Sequence, residues 1–329
     1  MGFYKNAVEL IGNTPLVDIR PRHLADGPLI LAKIEFLNPG GSIKDRLAKY
    51  VVEKAMAEGK LKKGDTVIDN TSGNMGIGLA MVAAAYGLKA VLTTAEKTSQ
   101  EKVDLIRALG AEVIVTPTEA NWDDPASCYQ VARRLAKEKG YFYFNQYDNP
   151  DNPEAHYKTT GPEIWEQTDG KVTHLVGGIG TGGTISGAAQ FLKEKNPDIK
   201  IIAVDPPGSL FAEYIRTGQA IEPHNYLVEG IGSDKVTGAL YPQYIDEVIT
   251  VTDEDSFAMA RQVTREFGIT AGGSSGTAAF AAYEIAPKLN KDDIIVVIFA
   301  DSATRYLSKC FSDKWMKEHG FKIREVERV

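Results

Sequence analysis

Short apolar runs alternate with amphipathic segments along almost the whole chain. The short runs are rich in residues that favour strands, whereas the longer segments repeat apolar residues every three or four positions, as on one face of a helix. Residues 294–299 are all apolar, which is typical of a strand buried on both faces of a parallel sheet. This alternation predicts an α/β fold with mostly parallel, twisted sheets flanked by helices.

The same pattern gives approximate element bounds. Strands are predicted at residues 29–36, 66–68, 89–93, 112–115, 141–144, 173–176, 200–204 and 294–299. Helices are predicted at residues 45–58, 76–86, 98–110, 184–195, 256–267, 276–289, 303–315 and from residue 124. Thr98 with Glu101 predicts a capping box, and Asp124-Pro125 predicts an N-cap followed by a first-turn proline. The polar segment 148–153 is the best candidate for an interdomain crossing.

Composition narrows the class of protein. A length of 329 residues favours two domains. The net charge of −7 and the lack of a Lys/Arg block argue against a nucleic-acid partner and favour a small-molecule one. There is no signal-peptide pattern and no membrane-length apolar run, so we expect a cytoplasmic protein. The two cysteines and five histidines have no metal-ligand spacing, so no metal site is predicted.

Lys44 lies in residues 38–46, Asn-Pro-Gly-Gly-Ser-Ile-Lys-Asp-Arg, between a predicted strand and a predicted helix. Loops at such junctions often carry function. A lysine near the start of a helix feels the positive end of the helix dipole, which favours its neutral amine. The neutral amine is the form that makes an imine with a carbonyl group. On spacing alone an ordinary surface lysine remains the alternative, so the hypothesis depends on three further loops.

Two of these loops suit an anion without requiring one. Residues 69–76, Asp-Asn-Thr-Ser-Gly-Asn-Met-Gly, offer hydroxyl groups, a carboxamide and backbone N–H groups at a helix start, which suits a carboxylate. An ordinary N-cap cluster explains this loop equally well. Residues 272–277, Gly-Gly-Ser-Ser-Gly-Thr, also open a predicted helix and are either a second anion site or only a cap.

The glycine-rich loop at residues 177–184, Gly-Gly-Ile-Gly-Thr-Gly-Gly-Thr, predicts a phosphate site. Backbone N–H groups can close around a phosphate where side chains are absent. Gly178, Gly180 and Gly183 also match the dinucleotide fingerprint, and Asp205 follows at the distance of a ribose-binding acid. A nicotinamide-dependent (NAD) oxidoreductase is therefore the competing hypothesis. It gives Lys44 and residues 71–75 no role.

Together and in this order, the four loops resemble those of pyridoxal phosphate enzymes of fold type II, which include cysteine synthases and cystathionine β-synthases. The resemblance runs from about residue 8 to about residue 315. It implies pyridoxal 5'-phosphate as cofactor and two domains, each a mostly parallel twisted sheet flanked by helices. Residues 1–40 and 149–329 would form the larger, cofactor-binding domain, and residues 41–148 a smaller, mobile, substrate-binding domain. It also implies a homodimer.

Within the family, the chain is most similar to the catalytic core of cystathionine β-synthases. The supporting stretches are residues 145–147, 155–160, 204–209, 228–232 and 312–316. Cysteine synthases commonly have phenylalanine where this chain has Tyr147. The length leaves no room for an N-terminal haem segment or C-terminal regulatory modules, so we expect a stand-alone catalytic core.

The resemblance also implies a role for each matching residue. Lys44 matches the Schiff-base lysine and is the expected catalytic residue. Further cofactor contacts are implied for Asn74 at the ring hydroxyl, for Ser274 at the pyridine nitrogen, and for the phosphate loop of Gly180, Thr181, Gly182, Gly183 and Thr184. Substrate contacts are implied for Thr71, Ser72, Gly73, Met75, Gln146, Tyr147 and Gly230.

Two of these residues bear on the reaction. Ser274 is neutral and does not strengthen the electron sink of the ring as an acid would, which favours β-elimination and β-replacement over transamination. Met75 stands where relatives usually have threonine, so a hydroxyl group is replaced by a flexible thioether. We therefore expect β-replacement on serine or an activated serine, with homocysteine as acceptor. A cysteine synthase using sulfide with O-acetylserine or O-phosphoserine is the alternative, and a diaminopropionate-forming relative a third.

Overall fold

The larger of two sheets has six strands and is parallel except at one edge. The structure, a computed structural model, describes residues 2–323 apart from residues 72, 97, 119 and 121. The strand order in this sheet is β1-β2-β10-β7-β8-β9, and only β1 pairs antiparallel with its neighbour. The strands are β1 (Leu16–Asp18), β2 (Leu29–Ile34), β7 (His174–Gly178), β8 (Lys200–Asp205), β9 (Glu247–Thr250) and β10 (Ile294–Phe299).

The smaller sheet has four parallel strands in the order β5-β4-β3-β6. They are β3 (Thr66–Asn70), β4 (Lys89–Ala95), β5 (Glu112–Thr116) and β6 (Phe142–Tyr143). Residues 44–144 contain this sheet and form the four-stranded half; the rest of the described chain forms the six-stranded half. The predicted α/β class with mostly parallel sheets flanked by helices is confirmed. The predicted domain boundaries and the mobility of the smaller domain stay predictions.

Helices cover both sheets, as parallel strands require. They are α1 (Lys44–Ala57), α2 (Asn74–Tyr86), α3 (Gln100–Ala108), α4 (Cys128–Lys139), α5 (Asp151–Lys158), α6 (Thr160–Gln167), α7 (Gly183–Lys195), α8 (Phe211–Thr217), α9 (Asp253–Phe267), α10 (Gly273–Ile285) and α11 (Asp313–Glu318). Within the described residues, no helix combines the length and apolar character needed to cross a membrane. The most buried helices, α2 and α10, are rich in alanine and glycine, which allows close packing.

The six-stranded half packs around two main apolar cores and the four-stranded half around one, which three residues of the other half also join: Val8, Ile11 and Ala155. In the six-stranded half, successive residues of a strand enter different cores, because side chains alternate between the two faces. Leu175 packs on one face and Val176 on the other. In the four-stranded half, Leu47 of α1 packs with residues of α2 and β3. The strand ends of both sheets are thereby fixed, and these ends carry the loops that the sequence singled out.

Two predicted helix starts were wrong because their polar side chains have other partners, and one predicted helix is interrupted. Thr98 does not cap α3; its hydroxyl pairs with that of Thr94 at 2.7 Å, and the helix begins at Gln100. Asp124 accepts a bond from the N–H of Ala126 in a turn before α4, and Ser127 is the actual N-cap. The predicted helix at 303–315 is a short 3₁₀ turn at Ala303–Arg305 followed, after a gap, by α11.

Candidate active site

Three of the four loops that the sequence singled out line one cavity, whereas no described residue of the loop at 69–76 belongs to its lining. Of the predicted site residues, its lining includes Lys44, Gly180, Thr181, Gly182, Thr184, Gly230 and Ser274. Gly183 begins α7 directly after the lining glycines. Lys44 and the glycine loop are more than a hundred residues apart in sequence, and the fold brings them together. The hypothesis from sequence requires the Lys44 amine and the glycine loop to face the same cavity, and in the structure they do.

The amine of Lys44 is poised to be neutral. Burial lowers the pKa of Lys44 to about 8, although the nearby carboxylate of Asp301 works in the opposite direction. Loss of solvation is the main cause of this lowered pKa, whereas the argument from sequence relied on the helix dipole. Lys44 is the first residue of α1, and its backbone N–H faces the hydroxyl oxygen of Ser42 at 3.3 Å.

A buried ionic cluster fixes the helix that carries Lys44. The guanidinium of Arg46 donates to Glu35 and to Glu163, in each case at 2.7 Å. Lys33, in β2, donates to the same Glu163 at 2.7 Å. Removing one partner of such a cluster leaves an uncompensated buried charge, so the cluster strongly disfavours displacement of this end of α1. Arg46 is two residues from Lys44, and the cluster therefore positions the amine indirectly.

The glycine loop is crowded, so its glycines are required. A Cβ on Gly180 would lie 2.5 Å from the carbonyl oxygen of Gly230, and one on Gly183 would lie 1.9 Å from Oδ1 of Asn152. Gly182 has a φ of +88°, which favours glycine. The loop leads into α7, whose first backbone N–H groups have no partner within the helix. Such a helix start attracts phosphate.

The loop before α2 is held by hydrogen bonds within the loop and by one from Gln146. The hydroxyl oxygen of Thr71 accepts bonds from the N–H groups of Gly73 and Gly76, each at 3.1 Å. Gln146 donates from Nε2 to the carbonyl oxygen of Asn70 at 2.7 Å. Ser72 lies outside the described residues. Gln146 therefore holds the backbone of the loop in this structure.

Neither Met75 nor Tyr147 belongs to the cavity lining; Met75 is buried and Tyr147 is half-buried. Met75 packs in the apolar core of the four-stranded half. The Tyr147 ring lies 5.2 Å from that of Tyr129, centroid to centroid. Their contact with a substrate remains a prediction, as do the substrate contacts of the other residues in this part of the site.

Asn74 connects the two halves beside the cavity. It donates from Nδ2 to Oδ2 of Asp301 at 2.7 Å, and its Oδ1 accepts a bond from Arg305. Arg305 also donates to the carbonyl oxygen of Gly40. The orientation of the Asn74 amide is thus fixed by two residues that the sequence reasoning missed. A second hydrogen on Nδ2 remains for another acceptor.

The competing dinucleotide hypothesis needed Asp205 as a ribose ligand. This carboxylate accepts a bond from the N–H of Ala212 at 2.9 Å and is buried at the start of α8. Asp205 is not part of the cavity lining. The glycine pattern around Gly180 therefore lacks the ribose-binding acid that a dinucleotide site requires.

Comparison with known proteins decides between these hypotheses. A family model described as pyridoxal-phosphate dependent enzyme matches residues 8–301. The chain belongs to this family. Members of the pyridoxal-phosphate dependent family use the cofactor predicted from the loops, and the family assignment made from the sequence is confirmed.

Among similar proteins, cystathionine beta-synthase of Mus musculus is 47% identical over 96% of this chain and 57% of its own length. The Saccharomyces cerevisiae enzyme of that name is 45% identical over 95% of this chain and 64% of its length. The chain thus spans less than two thirds of these relatives. An O-acetylserine dependent cystathionine beta-synthase of Bacillus subtilis is 42% identical, with 92% and 95% covered. A crystal structure of O-ureido-L-serine synthase matches with a TM-score of 0.87 and 33% identity, covering 96% and 100%.

The cavity fits the cofactor of the pyridoxal-phosphate dependent family. A phosphate needs backbone N–H groups left uncovered by side chains at a helix start, and the glycines before α7 provide them; a Cβ on Gly180, Gly182 or Gly183 would clash with neighbouring residues. An aldehyde needs a neutral amine, and burial favours that form of Lys44. A pyridine nitrogen needs a small polar partner, and Ser274 lies in the same lining. The sequence missed Asp301 and Arg305, for which no local pattern exists.

Proposed function

We propose that the chain catalyses β-replacement on serine or an activated serine by a thiol, most favourably the formation of cystathionine from serine and homocysteine. One observation carries the proposal: the amine of Lys44, the glycine cradle and the neutral hydroxyl of Ser274 line the same cavity. The combination of an imine-forming amine with a neutral ring partner suits loss of a β-substituent better than transamination.

The cofactor residues have separable roles in this proposal. When bound, pyridoxal phosphate supplies a conjugated ring that withdraws electrons from the amino acid. Lys44 would tether it and, once released, would remove the Cα proton of the substrate and later return it. Backbone and hydroxyl donors would hold the phosphate, from Gly180, Thr181, Gly182, Gly183 and Thr184. Asn74 would donate its remaining hydrogen to the ring hydroxyl, and Ser274 would contact the ring nitrogen.

The substrate residues orient the reacting bond. Thr71, Ser72, Gly73 and Gln146 hold the carboxylate of the amino acid, which decides which Cα bond is broken. Tyr147 and Gly230 lie nearer the departing and incoming groups. Met75 contributes its backbone at the start of α2, because its side chain packs in the core.

The acceptor and donor are proposed from the names of relatives. Eukaryotic proteins with high identity are named cystathionine beta-synthase, which favours homocysteine as acceptor. The Bacillus subtilis relative is named for its dependence on O-acetylserine, so the donor is either serine or its acetyl ester. Cysteine synthesis from O-acetylserine and sulfide is the second candidate. We also propose a cytoplasmic homodimer with a mobile domain at residues 41–148.

A matrix of donors and acceptors tests the proposal. Purified protein is incubated with serine or O-acetylserine, each with homocysteine or sulfide, and the products are quantified by mass spectrometry. We expect cystathionine to form faster than cysteine, and none to form with Lys44→Ala. Faster cysteine formation would select the second candidate. Borohydride reduction should abolish the visible absorbance band and leave the adduct on Lys44; a colourless protein that binds NAD would contradict the whole proposal.

A further inference from the structure

Helix α5 directs two buried polar side chains at the phosphate loop. Asn152 and His156 are four residues apart and therefore lie on the same face of the helix. Each is only 1% exposed. This face packs against α7, and its partners are the hydroxyl groups of Thr181 and Thr184, which both line the cavity. Neither side chain lines the cavity itself.

Asn152 fixes the direction of the hydrogen bond at Thr181. Its Nδ2 donates to the carbonyl oxygen of Gln146 at 2.6 Å and to Oγ1 of Thr181 at 2.8 Å. The opposite amide orientation would place Oδ1 against the Gln146 carbonyl, where two acceptors would repel each other. The Thr181 oxygen therefore accepts, and its own hydrogen is available to another acceptor.

His156 can do the same for Thr184. Its Nδ1 lies 2.9 Å from Oγ1 of Thr160, and its Nε2 lies 3.1 Å from Oγ1 of Thr184. Burial, reinforced by the positive charges of Lys44 and Arg46, holds the pKa of His156 well below its usual range. The neutral ring has one donor and one acceptor nitrogen. If Thr160 donates to Nδ1, then Nε2–H donates to Thr184, and the hydrogen of Thr184 is released.

We propose that Asn152, and His156 with its proton on Nε2, are positioning residues that make the hydroxyl groups of Thr181 and Thr184 hydrogen-bond donors toward the cavity, and so set its affinity for a phosphate monoester. This inference rests on the phosphate role proposed for the loop. A dianion can only accept hydrogen bonds, so a hydroxyl that spends its hydrogen on a neighbour contributes nothing to binding. Hydrogen bonds to charged groups are the stronger kind.

The test compares two ligands and two substitutions. His156→Met keeps the approximate length of the side chain and removes the donor, whereas His156→Gln keeps an N–H donor. Retention of cofactor by the holoenzyme is measured from its visible absorbance on serial dialysis, and the protein is also loaded with pyridoxal, which lacks the phosphate. The ³¹P NMR signal of the bound phosphate provides a second readout. Melting temperatures verify that the variants fold.

We expect His156→Met to weaken retention of pyridoxal phosphate about tenfold, because without the donor of His156 the Thr184 hydroxyl is free to turn its hydrogen to a backbone carbonyl of the preceding turn. Its retention of pyridoxal should be unchanged, and its ³¹P signal should shift. His156→Gln should behave like the wild type within about threefold. Asn152→Leu should reproduce the effect of His156→Met at Thr181.

The two levels of the hypothesis fail differently. If the wild-type protein retains pyridoxal as tightly as pyridoxal phosphate, the phosphate role of the loop is wrong. If the wild type discriminates but His156→Met discriminates equally well, only the positioning role is overturned. An equal loss of both ligands, or failure of His156→Gln to restore binding in a folded protein, also overturns it, because either result indicates a merely structural role.

Discussion

The glycine loop before α7 and the loop before α2 both lead from a parallel strand into a helix, yet they are held differently. The first is held by Asn152 and His156 of α5, which contact its threonines directly. The second is flanked by contacts that cross between the two halves, such as the bond from Asn74 to Asp301. Affinity for the phosphate of the cofactor should therefore be set within the six-stranded half, whereas alignment of the substrate should depend on how the two halves meet.

A second crossing contact makes the same point. Lys102 of α3 extends over Gly73 and pairs with Glu229, which also pairs with Lys309. Glu229 is adjacent to Gly230 in the cavity lining. Although burial works in the opposite direction, the two lysines hold the pKa of Glu229 below its usual value, so the carboxylate is charged. Lys102 crosses between the halves, whereas Lys309 lies in the same half as Glu229.

Lys44→Ala should have the largest effect. It should separate the covalent attachment of the cofactor from its non-covalent binding by the glycine loop. We expect turnover to fall by about 10⁴-fold or more, since a general base alone contributes about 10²–10⁴-fold and the tether is lost as well. The cradle is intact, so the variant should still bind the cofactor without a covalent bond. Borohydride treatment followed by mass spectrometry checks this. Activity within tenfold of the wild type would contradict the role of Lys44.

A pair of glycine substitutions should give the next largest effects. In Gly183→Ala the new Cβ would lie 1.9 Å from Oδ1 of the buried Asn152. Overpacking costs about 1–3 kcal/mol of stability, and because the new Cβ would displace the loop from the residue that orients Thr181, we expect cofactor affinity to fall by up to roughly 100-fold. Gly73→Ala would instead meet the flexible chain of Lys102 at 2.6 Å, at a φ of +140°. We expect it to lower kcat/KM about tenfold while the cofactor is retained.

Gly59→Ala is the matched control, because Gly59 also has a positive φ but no atom within 4 Å of a new Cβ. It should affect stability only, as measured by the melting temperature. If Gly183→Ala changed kcat/KM and left cofactor affinity intact, the contrast between the two loops would be wrong.

Lys102→Met should have a smaller effect that is confined to the substrate side. The ion pair with Glu229 is partly shielded from solvent, so we expect kcat/KM to fall about fivefold, with unchanged cofactor retention. Lys309→Met removes the other partner of Glu229 without removing a contact between the halves. A change of less than about twofold is expected for it. Equal effects of the two substitutions would show that the crossing of the halves is irrelevant.

A change of pH should have the smallest effect, because it alters only the protonation of Lys44. Because the pKa of Lys44 is lowered to about 8, its amine becomes neutral as the pH rises through 8. Below pH 8 the amine is mostly protonated and cannot act as a nucleophile. Cofactor-free protein should capture pyridoxal phosphate at a rate that rises to a plateau near pH 9, with about one tenth of the plateau rate at pH 7. Stopped-flow absorbance measures the rate. A midpoint near 10.5 would mean that burial does not control this amine.

Sequence reasoning found the residues whose signals are local. A backbone that must turn tightly or approach an anion excludes side chains, so such a segment is visible in the sequence as a cluster of glycines. This is how the glycines at 180, 182 and 183 and the turn before Lys44 were found. The strand bounds also agreed closely, as in β10, which spans the predicted residues 294–299. The role of Met75 could not be read in this way. Its helix position says nothing about which face lies in the core.

The missed features depend on contacts between distant parts of the chain. Asn74 and Asp301 are 227 residues apart, and no spacing rule relates them. Helix α5 was overlooked because its start at residues 148–153 is rich in Asn, Asp and Pro, which favour turns. Only the packing of α5 on α7 shows that Asn152 and His156 are aimed at two hydroxyl groups. The sequence shows that these residues are present but not where their side chains point.

The position of Lys44 has a mechanical consequence. Ile43, immediately before it, packs in a core of the six-stranded half, and Leu47 packs in the core of the four-stranded half. About one helical turn therefore separates residues packed in two different cores, and Lys44 lies within that turn. A relative displacement of the two cores would change the direction of the Lys44 side chain. Repacking either core far from the cavity should thus alter the geometry of proton transfer.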